Sequence, residues 1–267
     1  MNRPVDMTKT PGQPPLAELL SRYLERQTSA HSEGLASAEV GEVVPFEAAP
    51  VQPVDARVAW EDAVRVLPFF HPKTDTRSLK APPHWPQLVV GQEPVMAVAF
   101  CVGNFPQLMR NFQPLLQAGR LSQLRPQAGR SLEVPALMDW ANQAAAGKKY
   151  PQILLALGAL RLARQFEKTG ELLRGHQAEV AAEWRAAWAN EAAALAWQRG
   201  DGAEAYAQWQ AQAASVPILF NRGMAALFLD KTAEARTWLG QAVAQIPESS
   251  TWYHLGRLYL TLAETRK

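Results

Sequence analysis

From residue 134 to the C-terminus, apolar residues recur at helical spacing with little interruption. Leu137, Met138, Trp140, Ala141 and Ala144 form one stripe over Val134–Ala146. Ile153, Leu154, Leu157, Leu160, Leu162 and Phe166 form another over Pro151–Arg174. Gly170 and Gly175 mark where that second helix is expected to end or kink. Two tighter turns follow, at Arg199–Ala205 and Leu229–Ala235. Each closes on an Ala-Glu-Ala triplet, with a large apolar residue (Trp209 or Leu239) four positions beyond it. Alanine at a helix crossing permits close approach, and the larger residue fills the space one turn later.

Upstream the pattern thins. Residues 1–14 are polar and proline-rich and are expected to be disordered. Leu16, Leu19, Leu20, Tyr23 and Leu24 mark a short amphipathic helix ending near Gln27, and residues 28–56 read as a linker. A brief helix over Val58–Leu67 stops at Pro68. The stretch from Phe69 to Pro94 is so dense in proline that no regular element is expected there. Phe69, Phe70 and Trp85 are its candidate anchors to the rest of the chain. Val95–Val102 fits a buried strand or a short buried helix equally well. No other segment offers a partner strand, which favours a helical hairpin. Its second arm would start at Asn104 and Pro106 and carry Phe105, Leu108, Met109, Phe112, Leu115 and Leu116. Residues 118–133 read as a polar, basic loop.

Within the C-terminal part, Gly223, Ala235, Leu239, Ala242 and Pro247 are followed by Trp252, Leu255, Gly256 and Tyr259, which spell WxxLGxxY. Gly223 and Gly256 stand 33 residues apart in this sequence. This set resembles the tetratricopeptide repeat, a helix–turn–helix unit of about 34 residues. The resemblance covers roughly Glu183–Ala214, Pro217–Pro247 and a terminal half-unit Ser249–Glu264, weakens before residue 180 and is absent before residue 94. Gly147 and Tyr150 are similar to its inter-helix turn. Ala205 and Ala235 are only 30 residues apart, so one helix or loop is shortened. The implied fold is an all-α, tetratricopeptide-like helical-hairpin solenoid over 94–267 with a lone capping helix last. It would be preceded by an arm over 1–57 and a proline-rich segment over 58–93 packed on the solenoid.

The resemblance also implies a concave groove that takes a protein or peptide partner, lined by Asn190, Asn221, Met224, Tyr253, His254 and Arg257. Some members of the family grip a C-terminal carboxylate with lysines, an arginine and asparagines. Asn221 and Arg257 match that set in part, but no lysine falls at the corresponding positions. The N-terminal arm is a second candidate occupant of the groove.

Composition adds exclusions. Hydrophobic residues make up 48% and charged residues only 19%, as expected of broad apolar helix faces pressed together. The formal net charge is +2. Arg110, Arg120, Arg125 and Arg130, against Glu93, make residues 81–130 locally basic, but too sparsely for a nucleic-acid footprint. Cys101 is the single cysteine, which excludes intrachain disulfides and disfavours cysteine-based zinc sites. Neither an apolar leader nor a run long enough to span a bilayer is visible, so a cytoplasmic protein without membrane contact is expected. Phosphate-binding glycine loops and the G-x-S-x-G elbow are missing, and His31, His71, His84, His176 and His254 are scattered. Cofactor, metal and catalytic residues are therefore expected to be none. The expected function is a non-catalytic interaction scaffold. The alternative is a ligand-binding or enzymatic domain built by residues 58–130 on the solenoid as platform, with a pocket of His71, His84 and Arg110.

Overall fold

A computed structural model describes residues 73–89, 112–124 and 135–266, together with residues 56, 57, 60, 61, 64, 68 and 132. The described residues are helices and connecting turns, with no strand among them. In chain order they are α1 (Trp85–Leu88), α2 (Gln113–Gln117), a 3-10 turn at Leu121–Gln123, α3 (Pro135–Ala146), α4 (Tyr150–Leu162) and α5 (Phe166–His176). Then come α6 (Arg185–Arg199), α7 (Gly202–Ala211), α8 (Val216–Phe228), α9 (Thr232–Val243) and α10 (Thr251–Thr265). No described helix is long and apolar enough to cross a membrane. The expected helix near Leu16–Gln27, the arm, Val95–Val102 and the Asn104-capped start of the next helix lie outside the described residues.

From α6 onward each helix packs on its chain neighbours, giving the hairpins α6–α7 and α8–α9, with α10 closing on α9. The α3–α4 pair forms a further hairpin, and α5 packs on both α4 and α6. One turn geometry recurs at four of these reversals. Lys148, Arg164, Gly200 and Asp230 each take a left-handed backbone, with φ of 49°, 58°, 99° and 58°. At each, the following amide bonds a carbonyl five residues back: Lys149 to Ala144 (3.4 Å), Gln165 to Leu160 (2.9 Å), Asp201 to Ala196 (3.0 Å) and Lys231 to Ala226 (2.8 Å). The left-handed residue itself bonds a carbonyl three back in every case. This is the Schellman termination, which satisfies the last carbonyls of a helix and reverses the chain in a few residues.

Glycine does its steric work at two crossings. A Cβ on Gly223 would stand 2.5 Å from Leu239 Cγ and 2.8 Å from the Leu239 amide nitrogen, so α8 and α9 meet backbone to side chain there. A Cβ on Gly256 would stand 2.8 Å from Val243 Cγ2, placing α10 equally close to α9. Ala205, Ala235 and Ala242 are completely buried beside Trp209 and Leu239. Of the seven tryptophans at helical positions from Trp140 to Trp252, which their spacing suits to the core, Trp184, Trp188, Trp197, Trp209 and Trp252 are buried, whereas Trp140 and Trp238 are only partly buried.

Two expectations are corrected. The proline-rich segment contains a regular element after all, since α1 forms at Trp85–Leu88 with Pro86 in its first turn, where a missing amide costs nothing. Trp85 is buried, donates its ring N–H to the Ala56 carbonyl at 2.7 Å and meets Trp60 edge-on at 5.5 Å, so it is the anchor expected of it. Phe69 and Phe70 lie outside the described residues. The second correction is that Pro151–Arg174 is two helices. The break falls at Ala163–Gln165, and Gly170 and Gly175 lie inside α5. The short spacing between Ala205 and Ala235 is explained by α7, only ten residues long. Arg222 of α8 closes its end, donating to the carbonyls of Trp209 (2.9 Å), Gln210 (3.2 Å) and Gln212 while its guanidinium lies over the Trp238 ring.

Candidate functional site

The six residues expected to line a groove separate into two groups. Asn190 on α6 and Asn221 and Met224 on α8 have no solvent exposure. The Asn190 side-chain oxygen accepts two hydrogen bonds, from the Asn221 amide at 2.8 Å and from the Trp209 ring N–H at 3.0 Å. An interior amide must find partners or lose the full cost of leaving water, and these side chains find them in one another. The groove assignment of Asn190, Asn221 and Met224 is therefore corrected: all three are interior, and the two asparagines with Trp209 tie α6, α7 and α8 together. Tyr253, His254 and Arg257 are only partly buried and share one side of α10. The Tyr253 and His254 rings meet edge-on at 5.6 Å. Partial burial lowers the His254 pKa below the usual imidazole value, with Glu248 pulling the other way.

One rung away lies a cluster that no sequence motif announces. Arg161 of α4 donates from Nε and Nη2 to the same oxygen of Glu191, at 3.0 and 2.9 Å, and from Nη1 to the Gln198 side chain at 2.8 Å. The exposures of the three are 2%, 0% and 3%, so no solute reaches them. The other Glu191 oxygen has no hydrogen-bond partner. Burial pushes the Glu191 carboxyl well above the ordinary carboxylate range and the Arg161 guanidinium down to about 9. Both groups are thus held at an energetic cost that their mutual contact and the Gln198 hydrogen bond offset. With Asn190 next to Glu191, α6 presents consecutive polar residues to α8 on one side and α4 on the other. These rungs set helix register, and their burial leaves them no route to a substrate.

The alternative site does not assemble from its expected members. His84 is exposed, and His71 and Arg110 lie outside the described residues. The same segment does line a cleft of about 620 Å³, where Lys73, Asp75 and Ser78 face Lys148, Lys149 and Tyr150 at the α3–α4 turn. Lys148 is already engaged there, 3.1 Å from the Glu179 carboxylate, and the Tyr150 hydroxyl donates to the Glu179 carbonyl. Among the described residues no group of three potential metal ligands comes together. In comparisons with known proteins, no family model, curated protein or solved structure matches the chain.

Proposed function

We propose that the chain is a tetratricopeptide-like α-solenoid acting as a non-catalytic protein–protein interaction scaffold, and that a protein or peptide partner docks on the outer stripe of α10. The observation that carries the reading is the placement of Tyr253, His254 and Arg257. Ser250, Tyr253, His254, Arg257 and Thr261 are all partly exposed and recur at helical spacing, opposite the buried Trp252, Leu255, Gly256 and Tyr259. The stripe therefore offers two aromatic rings and a guanidinium that stay partly open to solvent on α10. Tyrosine and arginine are the residue types that dominate interface energetics. The repeated Schellman turn and the glycine crossings support the solenoid reading, because they are the steric devices by which helical hairpins stack.

The test pairs Tyr253→Ala with Arg257→Ala in the full chain and compares quantitative affinity capture with that of the unaltered protein. Partner recovery is expected to fall at least tenfold while the thermal midpoint moves by no more than about 4 °C, as suits partly exposed positions. Unchanged recovery would remove the stripe as the docking surface.

A further inference from the structure

Residues 112–124 are held on the C-terminal end of the molecule across a large sequence gap. Phe112 stacks on Tyr259 of α10 with ring centres 6.5 Å apart and planes 27° from parallel. Leu115 and Leu121 are 2% and 0% exposed, and the 3-10 turn packs on α8. The polar contacts lie at the two ends of the seat. The Ser122 amide (3.3 Å) and hydroxyl donate to the two carboxylate oxygens of Asp230 in the α8–α9 turn. Arg266, just past α10, donates to the Leu115 carbonyl at 2.8 Å and the Gly119 carbonyl at 3.4 Å.

We infer that this segment is a releasable strap occupying a peptide-accepting seat made by α8, the α8–α9 turn and α10. Its own regular structure is the five-residue α2 and one 3-10 turn, too short to persist alone in water. The seat holds its shape independently, because α8 and α10 both pack on α9 and α8 ends in its own Schellman turn. The contacts have the form of peptide recognition: an aromatic ring stacked on Tyr259 and two buried leucines, with backbone carbonyls and an amide read by one arginine and one aspartate. The partner that fits the seat is consequently a short segment with an aromatic residue, a leucine three positions on, and a later leucine followed by a hydroxyl residue. It gains access by displacing the strap. This goes beyond the scaffold reading, involves none of Tyr253, His254 and Arg257, and stands whichever protein docks on their stripe.

The test uses the full chain and a fluorescent synthetic peptide of residues 112–124. A strap-weakened variant, Phe112→Ala with Leu115→Ala and Ser122→Ala, is expected to bind the peptide at least tenfold more tightly than the unaltered chain. Adding Asp230→Asn to that variant is expected to cancel the gain. Equal binding by a strap-weakened variant that keeps its helical signal overturns the proposal. Should that variant fail to fold, hydrogen exchange on the unaltered chain decides. The amides of Leu115 and Leu124, bonded to Phe112 and Leu121, are then expected to exchange at least tenfold faster than the α8 amides of Ala225 and Ala226. Exchange of both sets in one concerted step overturns it.

Discussion

Arg161, Glu191 and Gln198 show how a few interior polar residues constrain an otherwise apolar stack. A buried ion pair rarely adds net stability over well-packed hydrophobic residues, but removing one partner leaves an uncompensated charge. Arg161→Met is therefore expected to cost about 3–5 kcal/mol in urea unfolding, and adding Glu191→Leu to recover most of that loss. The single variant should also change its response to pH. Burial alone holds the Glu191 carboxyl above its unfolded value. Such a group favours the folded state below the unfolded carboxyl value and loses that advantage as pH rises toward its folded value. Stability of Arg161→Met should thus decline as pH is raised from the ordinary carboxylate range, a slope that Glu191→Leu removes. A single variant as stable as the parent at every pH would show that the pair does not couple α4 to α6.

At the level of helices and turns, close approach and chain reversal do most of the organising. Gly223→Ala places a Cβ against the Leu239 backbone nitrogen, which cannot rotate away, so α9 must move. The expected cost is about 1–3 kcal/mol. Gly175→Ala, inside α5 with open space around the new Cβ, should instead stabilise by about 0.5–1 kcal/mol. Equal thermal midpoints for the two variants would remove the close crossing as an explanation of the glycine at 223. The same contrast shows what was legible in the sequence. The turns at Gly200 and Asp230 were marked by a residue suited to a left-handed backbone and by the alanines after it. The identical turn at Arg164 carries neither signal, while nearby Gly170 and Gly175 suggest a break that does not occur. The site was legible in part for a related reason. The resemblance to the repeat family assigns Asn190, Asn221, Tyr253 and His254 alike to a groove, but only contacts between helices decide which are covered, and Trp209 and the neighbouring amide take the two asparagines inward. The Arg161 cluster had no signal beyond a charged residue in each of two alanine- and leucine-rich helices.

Across the described part of the molecule, most packing is between chain neighbours, as in stacked repeats whose stability is a sum of local and nearest-neighbour terms. The described part of residues 56–89, packed on α3 and α4, is one exception, and the strap is another, since its Ser122 and Leu115 contacts join residues 108 and 151 positions apart. These two kinds of coupling predict different consequences of losing the last helix. In a chain ending at Pro247, Phe220 and Val243 lose Trp252, Tyr259 and Gly256, and the strap loses both the Phe112 ring contact and Arg266. Nearest-neighbour coupling confines the damage to α8 and α9, whereas the strap extends it to residues 112–124 while passing over α4 and α5. The truncated chain is accordingly expected to bind a hydrophobic dye and to lose exchange protection at α8, α9 and Leu115. Protection of the α4 amides should persist, because Arg161 and the Ile153–Leu157 face are held by α6 and by Leu173 of α5. Loss of protection at α4 together with α8 would mean that one cooperative unit spans the stack, and the strap would then be part of the core.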